Sequence, residues 1–214
     1  MSLPLNPPAI ILVRPQLGMN IGAVARAMLN FGLTELRLVQ PRDGWPNPDA
    51  GPSAAGADKV IENARVFDGV AEAIADCHLT IGTAQTTRDM VRRVTSPAGC
   101  VAELQALPGK SALLFGPERT GLVREDLLKC HAICTIPTTE HFSLNVAQAC
   151  LLGLYELHVL ADDATKAIPA PRHKSPAPTK DEYEMTFADM QRALEGIAYF
   201  KTRNEELMMR SFRS

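Results

Sequence analysis

Short apolar runs alternate with helix-patterned segments over most of the chain, and that alternation limits the possible folds more than any other feature. The first run is AIILV at Ala9–Val13, bounded by Pro8 and Pro15. A helical pattern follows over Asn20–Phe31, with Ile21, Val24, Ala25, Met28 and Leu29 on one side and Gly32 as its C-cap. Further strand-like runs are Leu36–Val39, Val66–Phe67, Leu79–Gly82, Ser111–Phe115 and Ala132–Ile136. Helical stretches lie at 54–63, 70–75 and Leu144–Leu160. Strands that alternate with helices in this way predict an α/β fold, a parallel sheet flanked by helices. Ligands of such sheets sit beyond the carboxyl ends of the strands. The loops after Gly82, Phe115 and Ile136 are therefore where chemistry is expected.

The helix from Leu144 carries Val146, Cys150, Leu151, Leu152, Leu154, Tyr155 and Leu157, so it is apolar on nearly every side. Such a helix must be covered all round, by its own domain or by a second subunit. Beyond it, residues 161–180 change character, with Pro169, Pro171, Pro176 and Pro178 and few large apolar side chains. This reads as a linker. Thr179 and Glu182 then have capping-box spacing, and Tyr183, Phe187, Met190, Leu194 and Ile197 recur as one helix face. The expected organisation is an α/β domain over 1–160, a Pro-rich linker over 161–180 and a helical extension over 181–214. Leu207, Met208 and Phe212 still look like a helix in need of a partner, so the extension is expected to be cut short.

Composition narrows the function. Lys plus Arg total 22 against 24 Asp plus Glu, a formal charge of -2, which excludes a protein that coats nucleic acid nonspecifically. Any nucleic-acid site must be a local patch. Five cysteines with no CxxC pair fit a reducing compartment, and Cys130-His131-Cys134 lacks a second ligand pair at zinc-like spacing, so no metal is expected. No apolar stretch approaches the roughly 18 residues of a membrane span, and the expected location is the cytoplasm.

Three segments carry candidate chemistry. Asn20-Ile21-Gly22-Ala23-Val24-Ala25-Arg26 opens the first helix after the first strand, a generic place for an anion. A lone Gly22 falls short of a dinucleotide fingerprint. Phe115-Gly116-Pro117-Glu118-Arg119-Thr120-Gly121-Leu122 follows a strand and has two glycines at P-loop spacing. Leu122 and Val123 stand where a triphosphate site needs Lys and Ser or Thr, so the glycines point instead to close backbone approach to another ligand. Ile136–Asn145 joins a strand end to the apolar helix. There Ser143 is the expected N-cap, and a buried Asn145 would need polar partners.

In order, spacing and place in the βα pattern, these segments resemble the three motifs of the SpoU/TrmH-like RNA 2'-O-ribose methyltransferases of the SPOUT superfamily. The likeness covers Ile10–Leu160. Ala55-Gly56-Ala57, Ile81-Gly82-Thr83 and Leu128-Lys129-Cys130-His131 add similarity to the TrmJ-type subgroup. The resemblance implies a C-terminal trefoil knot, a homodimer and S-adenosylmethionine as cofactor. It carries the cofactor contacts to Thr83, Ala84, Gln85, Gly116, Ile136, Phe142, Ser143 and Leu144. It makes Arg26 the catalytic arginine and adds Asn20, Glu118, Ser143 and Asn145 to the catalytic set, with Glu118 holding Asn20 and its loop. The implied substrate is tRNA, at a pyrimidine in anticodon-loop position 32; the alternatives are ribosomal RNA, another tRNA position, or RNA binding without catalysis. Arg88, Arg92, Arg93 and Arg119 are the expected RNA contacts, with Arg124 beside them.

Overall fold

The computed structural model describes residues 7–85, 92–106, 109–140, 143–161, 180–200 and 204–212. They belong to two units, one within Met1–Ile168 and one within Pro169–Ser214. Residues 162–179, which hold the proline-rich segment and Thr179 of the expected capping box, lie outside the described residues.

The first unit is built on seven strands: β1 (Ala9–Val13), β2 (Leu36–Val39), β3 (Arg65–Phe67), β4 (Leu79–Thr83), β5 (Arg93–Thr95), β6 (Ser111–Phe115) and β7 (Ala132–Cys134). Their order is β3-β2-β1-β6-β4-β7-β5, and every pairing is parallel. Helices cover both faces: α1 (Gly18–Asn30), α2 (Ala50–Ala54), α3 (Asp58–Glu62), α4 (Val70–Ala73), α5 (Pro97–Ala106), α6 (Arg124–Leu127) and α7 (Val146–Ala161). A sheet covered on both sides needs strands apolar on both sides, and β1 and β6 are buried at every residue. One core packs Ile10, Leu12, Ile81 and Phe115 against Val24, Val60, Val101 and Leu154. The other packs Ile11, Val13 and Leu114 against Val70, Leu122 and Leu127.

The strand order reverses between β1 and β6. From β1 the chain adds β2 and β3 on one side; β6, β4, β7 and β5 lie on the other. Such a switch point opens a crevice at the carboxyl ends. Because β6, β4 and β7 are neighbours, the loops that follow them must meet.

The structure departs from the sequence expectation in several places, among them α5, a ten-residue helix where the sequence reading placed none. The helical stretch at 54–63 is two short helices, broken where Ala55 (φ 45°) and Gly56 (φ 89°) turn left-handed. The segment holding Arg92 and Arg93, where the sequence pattern places no strand, contains β5 at the sheet edge, with Arg93 and Val94 exposed. The strand over Ala132–Ile136 ends at Cys134. The apolar helix is covered by its own domain on one face, where Val146, Cys150, Leu154 and Leu157 are buried; Leu151, Leu152 and Tyr155 are exposed on another.

Arg37 is an exception within the apolar strands, being 1% exposed in β2. Its guanidinium donates to the Ala73 carbonyl, to both oxygens of Asp76 (2.6 and 2.8 Å) and to Glu35 (3.0 and 2.6 Å). Lys110, just before β6, binds both carboxylates, and Arg65, at the start of β3, binds Glu35. Burial works against the charge of Arg37, and the two carboxylates outweigh it, holding its pKa above the ordinary value. The cluster ties together the amino ends of four strand segments.

In the second unit, α8 (Lys180–Gly196) and α9 (Glu205–Phe212) are joined by Gln191, which donates to Glu205 at 2.6 Å. Met209 is buried there, while Met185, Ile197 and Phe212 are exposed.

Candidate active site

The loops after β4, β6 and β7 line one cleft of about 260 Å³ at the carboxyl ends of those strands. Thr83, Ala84 and Gln85 come from the first loop, Gly116–Gly121 from the second, and Ile136, Thr138, Ser143 and Leu144 from the third. Cys134, Val146 and Ala149 complete an apolar side. Of the residues expected to hold a cofactor, Phe142 lies outside the described residues and all the others line this cleft.

Backbone shapes the walls. Thr83 Oγ1 donates to the Leu114 carbonyl at 2.9 Å, Thr135 Oγ1 to the Ala84 carbonyl at 3.0 Å, and the Ala84 N–H to the Cys134 carbonyl at 3.1 Å. The second loop folds back on itself. A Cβ on Gly116 would lie 2.1 Å from the Leu122 nitrogen and 2.2 Å from the Gly121 carbonyl carbon. Only glycine permits that approach, and Gly121 reverses the chain at φ 65°.

Glu118 reaches out of this loop to the start of α1. Its carboxylate accepts from the Gln16 N–H (2.9 Å), the Leu17 N–H (3.2 Å) and the Asn20 amide (2.8 Å). Leu17, the N-cap of α1, makes no side-chain cap, and the Glu118 carboxylate, 101 positions away, accepts that residue's own N–H at the positive end of the helix. Burial pushes the Glu118 carboxyl up, but the bonds from Asn20 and the backbone N–H groups together hold it below its ordinary value. Asn20 Oδ1 in turn accepts from the Asn145 amide at 3.1 Å, and Asn145 Oδ1 accepts from the Ala147 N–H at 2.8 Å. Asn145 is thus the N-cap of α7, the role expected of Ser143; Ser143 instead stands exposed at the cleft. One chain of hydrogen bonds, Glu118–Asn20–Asn145, joins the second loop to the N-termini of two helices.

The expected arginines divide. Arg26 is exposed on α1 and has no hydrogen-bond or ion-pair partner among the described residues. It lies two helical turns from exposed Met19, on a different face from Asn20, and it does not line its own chain's cleft. Arg119 lines the cleft mouth and is exposed. Arg92 and Arg93 sit at the amino end of β5. Arg92 donates to the Leu128 carbonyl at 2.5 Å, and Arg93 pairs with Glu103 at 2.5 and 2.6 Å. Arg88 lies outside the described residues. Sequence reading missed Arg14, whose guanidinium pairs with buried Asp126. Its only signal was a charge directly after an apolar strand. Among the described residues no group of three His, Cys, Asp or Glu could hold a metal, and no helix is long and apolar enough to cross a membrane.

An all-parallel sheet with a backbone-walled cleft over three neighbouring strand ends defines an α/β domain built to bind a small organic ligand. The chain belongs to the SpoU rRNA Methylase family, whose model matches residues 7–155. It is 37% identical over 213 residues to a tRNA (cytidine/uridine-2'-O-)-methyltransferase, TrmJ, of Klebsiella pneumoniae, covering 95% of this chain and 85% of the relative. An uncharacterized tRNA/rRNA methyltransferase of Haemophilus influenzae is 42% identical over 151 residues; the match spans 70% of this chain and 62% of that protein's length. The crystal structure of TrmJ from Z. mobilis ZM4 superposes with a TM-score of 0.69 at 44% identity, covering 97% of this chain and 88% of that one.

Proposed function

We propose that this protein methylates the 2'-hydroxyl of a ribose in tRNA with S-adenosylmethionine, at a pyrimidine in position 32 of the anticodon loop. The observation that carries the reading is the convergence of three separate loops on one backbone-walled cleft. Family membership and the named activity of the Klebsiella relative support the chemistry and the tRNA substrate.

The cleft suits the cofactor. Gly116 and Gly121 keep one wall bare, so backbone can approach a flat ring closely, and Cys134, Ile136, Leu144 and Val146 supply apolar contact. Gln85, Thr138 and Ser143 add polar atoms for a sugar and an amino acid. When bound, S-adenosylmethionine supplies an electrophilic methyl with a good leaving group. The protein's task is then to place the ribose and ease loss of its proton.

Arg26 is assigned to the phosphate next to the reacting ribose. Its guanidinium carries a positive charge and stabilises developing negative charge on oxygen, and a phosphate oxygen or water accepts the proton. Asn20, Glu118 and Asn145 hold the cleft in shape, Ser143 borders it, and Arg119 at its mouth meets the RNA backbone. Arg92 and Arg93, already engaged at the other end of the sheet, are secondary RNA contacts.

The active form in this proposal is a homodimer carrying the family's trefoil knot, in the cytoplasm. Exposed Leu151, Leu152 and Tyr155 on α7, with Leu17 and Met19 at the start of α1, which packs on α7, supply an apolar surface for a second copy. Arg26 shares the outward side of α1 with Met19, and so reaches the partner's cleft rather than its own. The catalytic domain covers 1–160, and the extension over 181–214 adds RNA contact beyond the linker.

The test is incubation with labelled S-adenosylmethionine and unmodified total tRNA, followed by mass-spectrometric mapping. A 2'-O-methyl at position 32 is expected. Incorporation into ribosomal RNA alone would replace the tRNA assignment, and no incorporation into any RNA would end the enzymatic one.

A further inference from the structure

We infer that Arg14 is a positioning residue for the cofactor cleft, acting through Asp126 to hold the Pro117–Asp126 segment from the side opposite Glu118. The inference rests on the reading of the cleft given above. Arg14 is the first residue after β1 and has a left-handed backbone, φ 50°. A non-glycine residue persists there only where the surroundings require it. Its N–H completes the β1–β2 ladder by donating to the Val39 carbonyl at 2.7 Å. Gln40, the corresponding residue after β2, repeats the left-handed turn at φ 46°, and the Arg42 N–H joins the two exits by donating to the Pro15 carbonyl at 3.0 Å. The chain is thereby turned so that the next N–H groups, of Gln16 and Leu17, meet Glu118.

The Arg14 side chain goes the other way. It pairs with Asp126 in α6, whose side chain is only 6% exposed. Asp126 belongs to the helix that packs with Leu122 and Leu127 on the second core, whereas Glu118 binds α1 on the first. The segment that walls the cleft is therefore fastened twice to the β1–α1 turn, once on each side of the sheet. Gly116 and Gly121 flank the first fastening and precede the second, and the close backbone approach between them tolerates little movement. Loss of the Arg14 pair leaves a buried carboxylate without its cation, and α6 must shift to hydrate it.

The experiment measures S-adenosylhomocysteine affinity by calorimetry on the full chain at a temperature where circular dichroism shows every variant folded. Arg14→Gly suits the left-handed turn and removes only the side chain. It is expected to raise Kd about tenfold, while Arg14→Lys, which keeps the charge, restores most of the affinity. Asp126→Asn is expected to match Arg14→Gly, and the double variant to be no worse than either. A melting temperature that falls while Kd stays at the wild-type value in both Arg14→Gly and Asp126→Asn would overturn the inference, leaving a stabilising pair only. If Arg14→Gly does not fold, Arg14→Lys against Arg14→Gln provides the same comparison. A wild-type protein that fails to bind S-adenosylhomocysteine would instead defeat the proposed function.

Discussion

Asn145 and Asn20, 125 positions apart in the chain, face each other amide to amide at 3.1 Å. Each has one further duty: Asn20 donates to Glu118, and Asn145 caps α7. The pair makes the first and third motif segments a single structural unit, with Glu118 bringing in the second.

Glu118→Gln should disturb this unit without emptying it. A glutamine keeps one oxygen for either the α1 backbone or Asn20, and its NH2 group opposes one of the donors. Methyl transfer is expected to fall about 100-fold, the scale of an ångström-level misplacement, with tRNA affinity nearly unchanged. Steady-state kinetics alongside filter binding would check this. An equal loss in both measurements would contradict it.

The acid dependence follows from the same carboxylate. The Glu118 pKa is lowered in the folded protein, so its contribution is present above the unfolded value of about 4.3 and is lost as pH falls through the lower folded value. S-adenosylhomocysteine affinity should therefore hold from neutrality down to about pH 5 and weaken only below the unfolded carboxylate value. Calorimetric titration across that range should show no transition near neutral pH attributable to this group.

Gly116→Ala places a methyl group 2.1 Å from a backbone nitrogen that cannot move without opening the loop. Cofactor affinity is expected to fall at least about tenfold, which corresponds to about 1.4 kcal/mol. Gly121→Ala, with open space around the added carbon but φ 65°, should cost less than Gly116→Ala. Parallel binding isotherms would rank the two.

Arg26→Lys should lower turnover about 10- to 100-fold, because an ammonium does not reproduce the guanidinium fork on a phosphate. If Arg26 serves the neighbouring subunit, mixing Arg26→Ala with Gly116→Ala subunits should restore about a quarter of wild-type activity, since half the dimers then hold one intact site of two. No recovery on mixing would place Arg26 in its own chain's cleft.

Removing both Glu35 and Asp76 as alanines should destabilise the protein by about 3 kcal/mol, because Arg37 would be left buried without an anion. Urea unfolding should show a lower midpoint, while cofactor binding in the surviving folded fraction stays close to wild type. The cluster lies at the amino ends of the strands, away from the cleft.

Much of this architecture was legible in the sequence because two-sided burial leaves an uninterrupted apolar run: AIILV and SALLF match β1 and β6 residue for residue. β5 was not, because the edge residues Arg93–Thr95 lack that signature and pair on one side only. The split between α2 and α3 depends on a left-handed Ala55, which composition does not reveal. The loops that form the cleft could be chosen from strand ends, but their meeting depends on β6, β4 and β7 being neighbours, a matter of pairing order. Arg14 and its partner Asp126 were hidden for a similar reason: 112 residues separate them, and nothing local marks either.

The ionic cluster around Arg37 has an implication for how this sheet can be altered. One end of the strands is fastened by charge and the other is shaped by bare backbone turns. Exchanges among the turn residues can thus retune which donor or nucleic acid is accepted while the opposite anchor keeps the scaffold intact. Redesign of specificity should begin at the turns and leave Glu35, Arg37, Asp76 and Lys110 as they are.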